Sequence, residues 1–105
     1  MKKQQDDKLV PYSIEAEEAV LGSLLLEPFA VSLIGWLTPG DFYRETNRWV
    51  FEAVLALYAR RDAIDFLTVR DELERRRRLD DVGGASFLAS LINTVPTAVH
   101  IEHYA

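Results

Sequence analysis

Apolar residues recur at three- and four-residue intervals along almost the whole chain, the spacing of helices that each bury one face. In the first such stretch Ile14, Val20, Leu21, Leu24 and Leu25 fall on one side. Ser13 is placed to cap it, and Glu15, Glu17 and Glu18 occupy its first turns, where negative charge complements the helix dipole. Pro28 drives the residue before it out of the helical region, so this helix is predicted to end at Glu27. The segment from Phe29 to Leu37 has too few polar residues for a solvated face, which places it against other helices. Thr38-Pro39 then supplies an N-cap with proline at the first helical position, opening a single turn through Phe42.

The longest helix is predicted from Thr46 to Arg60, with Val50, Phe51, Val54, Leu55 and Tyr58 toward the core. Asp65 caps another, in which Phe66, Val69 and Leu73 point inward and the run Arg75-Arg76-Arg77-Arg78 closes the end. Gly83-Gly84 separates it from a helix over 85–93 whose inward face is Phe87, Leu88, Leu91 and Ile92. Thr97 caps a last helix carrying Val99, Ile101 and Tyr104, and no stop signal follows before Ala105. The hairpin signature, alternation bounded by Asn-Gly or Asp-Gly, does not occur. The predicted fold is all-α, a compact bundle of about six helices over residues 10–105. A polar tail, residues 1–9, precedes it and is expected to be disordered. The chain reads as the N-terminal part of a longer protein.

Composition narrows the chemistry. A chain of 105 residues closes one core and has no room for separate catalytic and substrate domains. Without cysteine, disulfides, thiolate metal sites and cysteine nucleophiles are excluded, which fits a cytoplasmic location. No apolar run approaches the ~20 residues that span a bilayer, so no membrane partner is expected. The formal net charge of −5 opposes binding of nucleic acid across the whole surface.

The residues that invite a chemical reading are few. Gly83-Gly84 lacks the lysine of a phosphate-binding G-x-x-x-x-G-K-[ST] loop, follows Asp80-Asp81, and is preceded by no strand. Every lysine, Lys2, Lys3 and Lys8, lies in the tail. Glycine as a turn between helices is the better account. Arg75–Arg78 can be a basic patch for nucleic acid or an acidic partner, or a solvated helix end paired with Asp71, Glu72 and Glu74. His100 and His103 lie three apart, but a metal site needs further ligands at readable spacing. The acidic groups Asp6/Asp7, Glu15/Glu17/Glu18 and Asp80/Asp81 are expected to be exposed, whereas acid–base work needs one carboxylate perturbed away from its neighbour. No serine sits in a G-x-S-x-G elbow. Trp36, Trp49, Phe29 and Phe51 are expected in the core. An excess of apolar surface around Trp36 would instead form an interface.

Taken together, VPYSIEAEEAVLGSLLLEP (Val10–Pro28), LTPGDFY (Leu37–Tyr43), RWVFEAVLAL (Arg48–Leu57), AIDFLTVRDEL (Ala63–Leu73), LDDVGGASFLASL (Leu79–Leu91) and TVPTAVHIEHYA (Thr94–Ala105) resemble the N-terminal domain of the bacterial replicative DNA helicase, the DnaB type. The resemblance implies a non-catalytic six-helix bundle, followed in the family by a helical hairpin, a linker and a RecA-like ATPase. ATP and magnesium are implied for that absent motor domain and no cofactor for this one, and DNA contact belongs to the motor as well. The implied partners are other copies of the chain, arranged as dimers and as a trimer of dimers in the hexameric collar, the C-terminal domain of primase and, in some bacteria, the helicase loader. Glu15, in the S-x-E-A-E motif, and Phe87, the aromatic after Gly-Gly, are the primase-facing candidates it implies, each also readable as a helix-start charge or as core packing. One position departs from the pattern. The family commonly has R-x-x-H-R before the long helix, and here the segment is Arg44-Glu45-Thr46-Asn47-Arg48, so an imidazole contact there is lost.

Overall fold

Pro28 ends one helix and starts a tighter one. In the computed structural model, which describes residues 14–95, the first helix, α1, runs Ile14–Leu26, and Pro28–Trp36 follows as a 3₁₀ helix. Proline at its first position needs no N–H partner there. Ala30 and Ile34 from this segment are buried and Val31 is half-buried, which accounts for a 3₁₀ stretch longer than usual. A single 3₁₀ turn, Pro39–Asp41, comes next, with the Thr38 N–H donating to Asp41 Oδ2 at 2.8 Å.

The central helix, α2, spans Glu45–Ala59 and buries Asn47, Val50, Phe51, Ala53, Val54 and Leu57. Phe42 closes over Phe51 with ring centroids 5.0 Å apart. Helix α3, Phe66–Arg75, starts at Asp65, which accepts the Thr68 N–H at 2.9 Å while Thr68 Oγ1 accepts the Asp65 N–H at 2.9 Å. Val69 and Leu73 face the core. A one-turn helix, α4, occupies Leu79–Val82, and α5 spans Gly84–Asn93 with Leu88 and Leu91 buried. The described residues are all helix and connection, as the periodicity predicts.

The core lies between two helix pairs, α1 with α5 and α2 with α3. Gly22 sets the spacing of the first pair, because a Cβ there would strike the carbonyl oxygen of Leu91 and a methyl group of Val95. Gly83 and Gly84 both take positive φ, 110° and 76°, which turns the chain directly from α4 into α5.

Several expectations need correction. A separate helix, α4, stands between the arginine run and Gly83, because Val82 is drawn into the core and needs a turn of its own. Tyr58 faces outward, 49% exposed, and Leu57 is buried in its place. Trp36, expected in the core, is 84% exposed. The inward residues of the 3₁₀ helix are Ala30, Val31 and Ile34, and Trp36 stands at its end, beyond the last of them. Trp49 is half-buried, its ring covered by the Arg78 guanidinium at 4.2 Å. The expectations for Ser13, the 1–9 tail, Thr97, His100, His103 and the last helix lie outside the described residues, as does the Phe29 side chain.

Candidate partner-docking surface

The three glutamates at the start of α1 have three different environments. Glu15 points to solvent. Glu17 turns inward and is 9% exposed, contrary to the expectation that the whole group is solvated. Its Oε2 accepts the Tyr43 N–H at 2.6 Å, and its Oε1 accepts the Arg44 N–H at 3.4 Å and Asn47 Nδ2 at 3.0 Å. Glu18 pairs with Arg44 at 3.1 Å. Glu17 thus caps α2 from another element, taking up backbone donors that no local side chain satisfies. The signal was present in the sequence: Glu17 lies three residues after Ile14 and four before Leu21, on the apolar stripe.

Asn47 lies at this junction fully buried. Its amide nitrogen keeps a hydrogen bond to Glu17, while its Oδ1 has no partner among the described residues. The contact that an imidazole N–H can make is therefore made here by a group that cannot titrate.

Phe87 is half-buried at the edge of the core, one turn into α5. Glu15 and Phe87 sit on the two helices that pack together, α1 and α5, and no hydrogen bond or ion pair joins them. Neither lines a groove of about 790 Å³ that opens between the end of α1 and the α2–α3 connection. That groove is floored by Leu24, Leu25, Val31 and Ile64 and rimmed by Leu26 and Tyr58, themselves nearly half exposed. Sequence reading missed it, because Leu26 and Tyr58 carry no pattern that separates them from core residues.

The arginine run is largely occupied within the domain. Arg75 and Arg76 pair with Glu72 at 2.8 and 2.7 Å, and Arg78 pairs with Asp81 at 3.1 Å besides covering Trp49. Arg60 joins the same Glu72 at 3.1 Å. Burial pushes the Glu72 carboxyl up, but the hydrogen bonds from Arg76, Arg75 and Arg60 outweigh it and hold the group down at about 2. In turn, the hydrogen bonds that Arg60 donates to Glu72 and Asp62 raise its guanidinium above the ordinary value. Among the described residues, no group of three acidic or histidine side chains is arranged to hold a metal, and no helix is long and apolar enough to cross a membrane.

The sequence and the fold both have counterparts in known proteins. A family model described as the DnaB-like helicase N terminal domain matches residues 9–105. The replicative DNA helicase DnaC of Bacillus subtilis is 45% identical over 101 residues, covering 95% of this chain and 22% of that protein. The replicative DNA helicase DnaB of Mycobacterium leprae is 44% identical over 96 residues, covering 90% of this chain and 16% of the relative. The chain thus spans about a fifth of the length of these curated relatives. The crystal structure of the N-terminal domain of DnaB helicase from Mycobacterium tuberculosis shares the fold with a TM-score of 0.80 at 44% identity, covering 90% of this chain and 68% of that one. With sequence and fold agreeing over nearly its whole length, the chain belongs to the DnaB-like helicase N-terminal domain family.

Proposed function

We propose that this domain is a non-catalytic assembly and docking module of a hexameric replicative helicase, packing against copies of itself in a collar and presenting a surface to primase. The observation that carries the reading is the apolar surface left outside a well-filled core. Trp36 is almost fully exposed, and the groove beside its 3₁₀ helix is rimmed by Leu26 and Tyr58. A small domain has reason to cover such surface with a partner. Glu15 and Phe87 are the primase-facing candidates, one a free charge and the other a half-buried ring. In this reading ATP, magnesium, DNA and a loader are handled by parts of the helicase beyond this domain, since no G-x-x-x-x-G-K-[ST] motif occurs in the chain.

Two measurements test it. Calorimetric titration with the helicase-binding domain of primase from the same organism should give saturable binding, weakened by Glu15→Ala or Phe87→Ala. Sedimentation across a concentration series should show self-association that Trp36→Ala reduces. A chain that stays monomeric at millimolar concentration and gives no heat with primase overturns the docking role. A second reading, a nucleic-acid-binding module built on Arg75–Arg78, requires affinity that falls steeply with salt. The net charge of −5 counts against it, and a gel shift at two ionic strengths separates the two.

A further inference from the structure

Three guanidiniums converge on one carboxylate. The Glu72 side chain is 1% exposed. Arg60 Nη1 reaches its Oε1 at 3.1 Å, Arg75 Nη2 reaches Oε1 at 2.8 Å and Oε2 at 3.0 Å, and Arg76 Nε reaches Oε2 at 2.7 Å. One carboxylate neutralises one of these charges, and Asp62 takes the Nε of Arg60 at 3.1 Å. Arg61 and Arg77 flank the cluster in sequence without an ion pair among the described residues. By the contacts present, Arg60, Arg75 and Arg76 meet Glu72 and Asp62, a surplus of one positive charge. The chain as a whole carries −5, so the local sign is reversed.

The cluster also has donors to spare. A guanidinium carries five N–H donors. Arg75 spends those of Nη2 and Arg76 that of Nε. Among the described residues, Nε and Nη1 of Arg75 and both Nη groups of Arg76 have no acceptor. The buried carboxylate already fixes these long side chains, so an arriving anion meets ordered forks rather than free rotors, and less entropy is lost on binding.

We infer that the Arg60–Arg75–Arg76 cluster around Glu72 is a docking site for a short acidic peptide segment of a partner protein, whose carboxylates take the unspent N–H groups of Arg75 and Arg76. The unspent N–H groups of two guanidiniums suit two carboxylates. A nucleic-acid strand needs a longer basic track and aromatic faces beside it, and the Trp49 face next to this cluster is covered by Arg78. The inference does not depend on primase docking, which concerns Glu15 and Phe87.

The experiment uses the whole chain labelled with ¹⁵N-arginine and, as probes, a capped octaglutamate peptide and an eight-nucleotide oligothymidylate. With the peptide, the Arg75 and Arg76 Nε–H resonances should shift saturably. The Arg75→Gln/Arg76→Gln variant should bind about tenfold more weakly, while Arg78→Gln binds as the parent does. If the double variant loses its fold, Arg75→Gln alone serves, because that side chain is 66% exposed, and a drop of about threefold is expected. Absence of shifts at millimolar peptide, affinity indifferent to Arg75 and Arg76, or equal or tighter binding of the oligonucleotide at these arginines overturns the inference.

Discussion

The carboxylate of Glu17 accepts the backbone N–H of Tyr43 at 2.6 Å, 26 residues further along the chain. That bond and its neighbours to Arg44 and Asn47 tie the first turn of α1 to the start of α2. Glu17→Ala leaves buried donors unpaired. Charge-assisted bonds are worth about 1.5–3 kcal/mol, so the variant should lose about 3 kcal/mol with an unchanged denaturant slope. Urea unfolding followed by circular dichroism checks it. A loss below about 1 kcal/mol would show that the junction is replaced by water at little cost.

The helix α1–α5 contact depends on the absence of a side chain at Gly22. Gly22→Ala pushes a methyl group into the Leu91 carbonyl, which is backbone and yields only by moving a helix. Overpacking of this kind costs about 1–3 kcal/mol, offset slightly by the better helix propensity of alanine. A lowered melting temperature is expected, against the rise that Gly→Ala brings at an open helical site.

Glu72 gives stability a dependence on acid. Its carboxyl titrates at about 2 in the folded chain, against an ordinary 4.5. As pH falls the unfolded chain takes up that proton first. The contribution is therefore complete above about pH 4.5 and is lost between about pH 4.5 and 2. The shift corresponds to roughly 3 kcal/mol. Unfolding free energies at pH 6, 4 and 3 should fall for the parent chain, and fall less for Glu72→Gln, whose amide does not titrate.

Two helices end on arginine where glycine is the usual choice. Arg61 and Arg77 hold φ of 64° and 61°, with Asp62 N–H on the Leu57 carbonyl at 2.9 Å and Arg78 N–H on the Leu73 carbonyl at 2.8 Å, the Schellman pattern. A side chain in that left-handed region costs about 1 kcal/mol. Arg77→Gly should accordingly raise stability by about 0.5–1 kcal/mol, a gain of several degrees in melting temperature for a domain of this size. A neutral or lower melting temperature would show that the Arg77 side chain contributes contacts in solution.

Trp36 makes the opposite demand of a substitution. With its ring in solvent, Trp36→Ala should change unfolding free energy by no more than about 0.5 kcal/mol while weakening self-association. A large stability loss would place the ring in the core after all.

The sequence by itself determined the helical class and most of the turns. Apolar spacing, Pro28, Thr38-Pro39, Asp65 and Gly83-Gly84 act within a few residues of where they stand, so their effects can be read locally. Glu17, Asn47 and Glu72 were legible only as positions. Each lies on the inward stripe of its helix, with apolar neighbours three or four residues away. Only the tertiary structure decided what each one meets: the N-terminus of α2 for Glu17, a glutamate for Asn47, and three arginines from two helix ends for Glu72. The same holds for Trp36, whose apolar segment pointed to burial and whose ring stands in solvent at the end of the 3₁₀ helix. Local rules choose helix or turn because backbone geometry is a short-range matter. Partnership and exposure are settled when distant segments compete for one small interior.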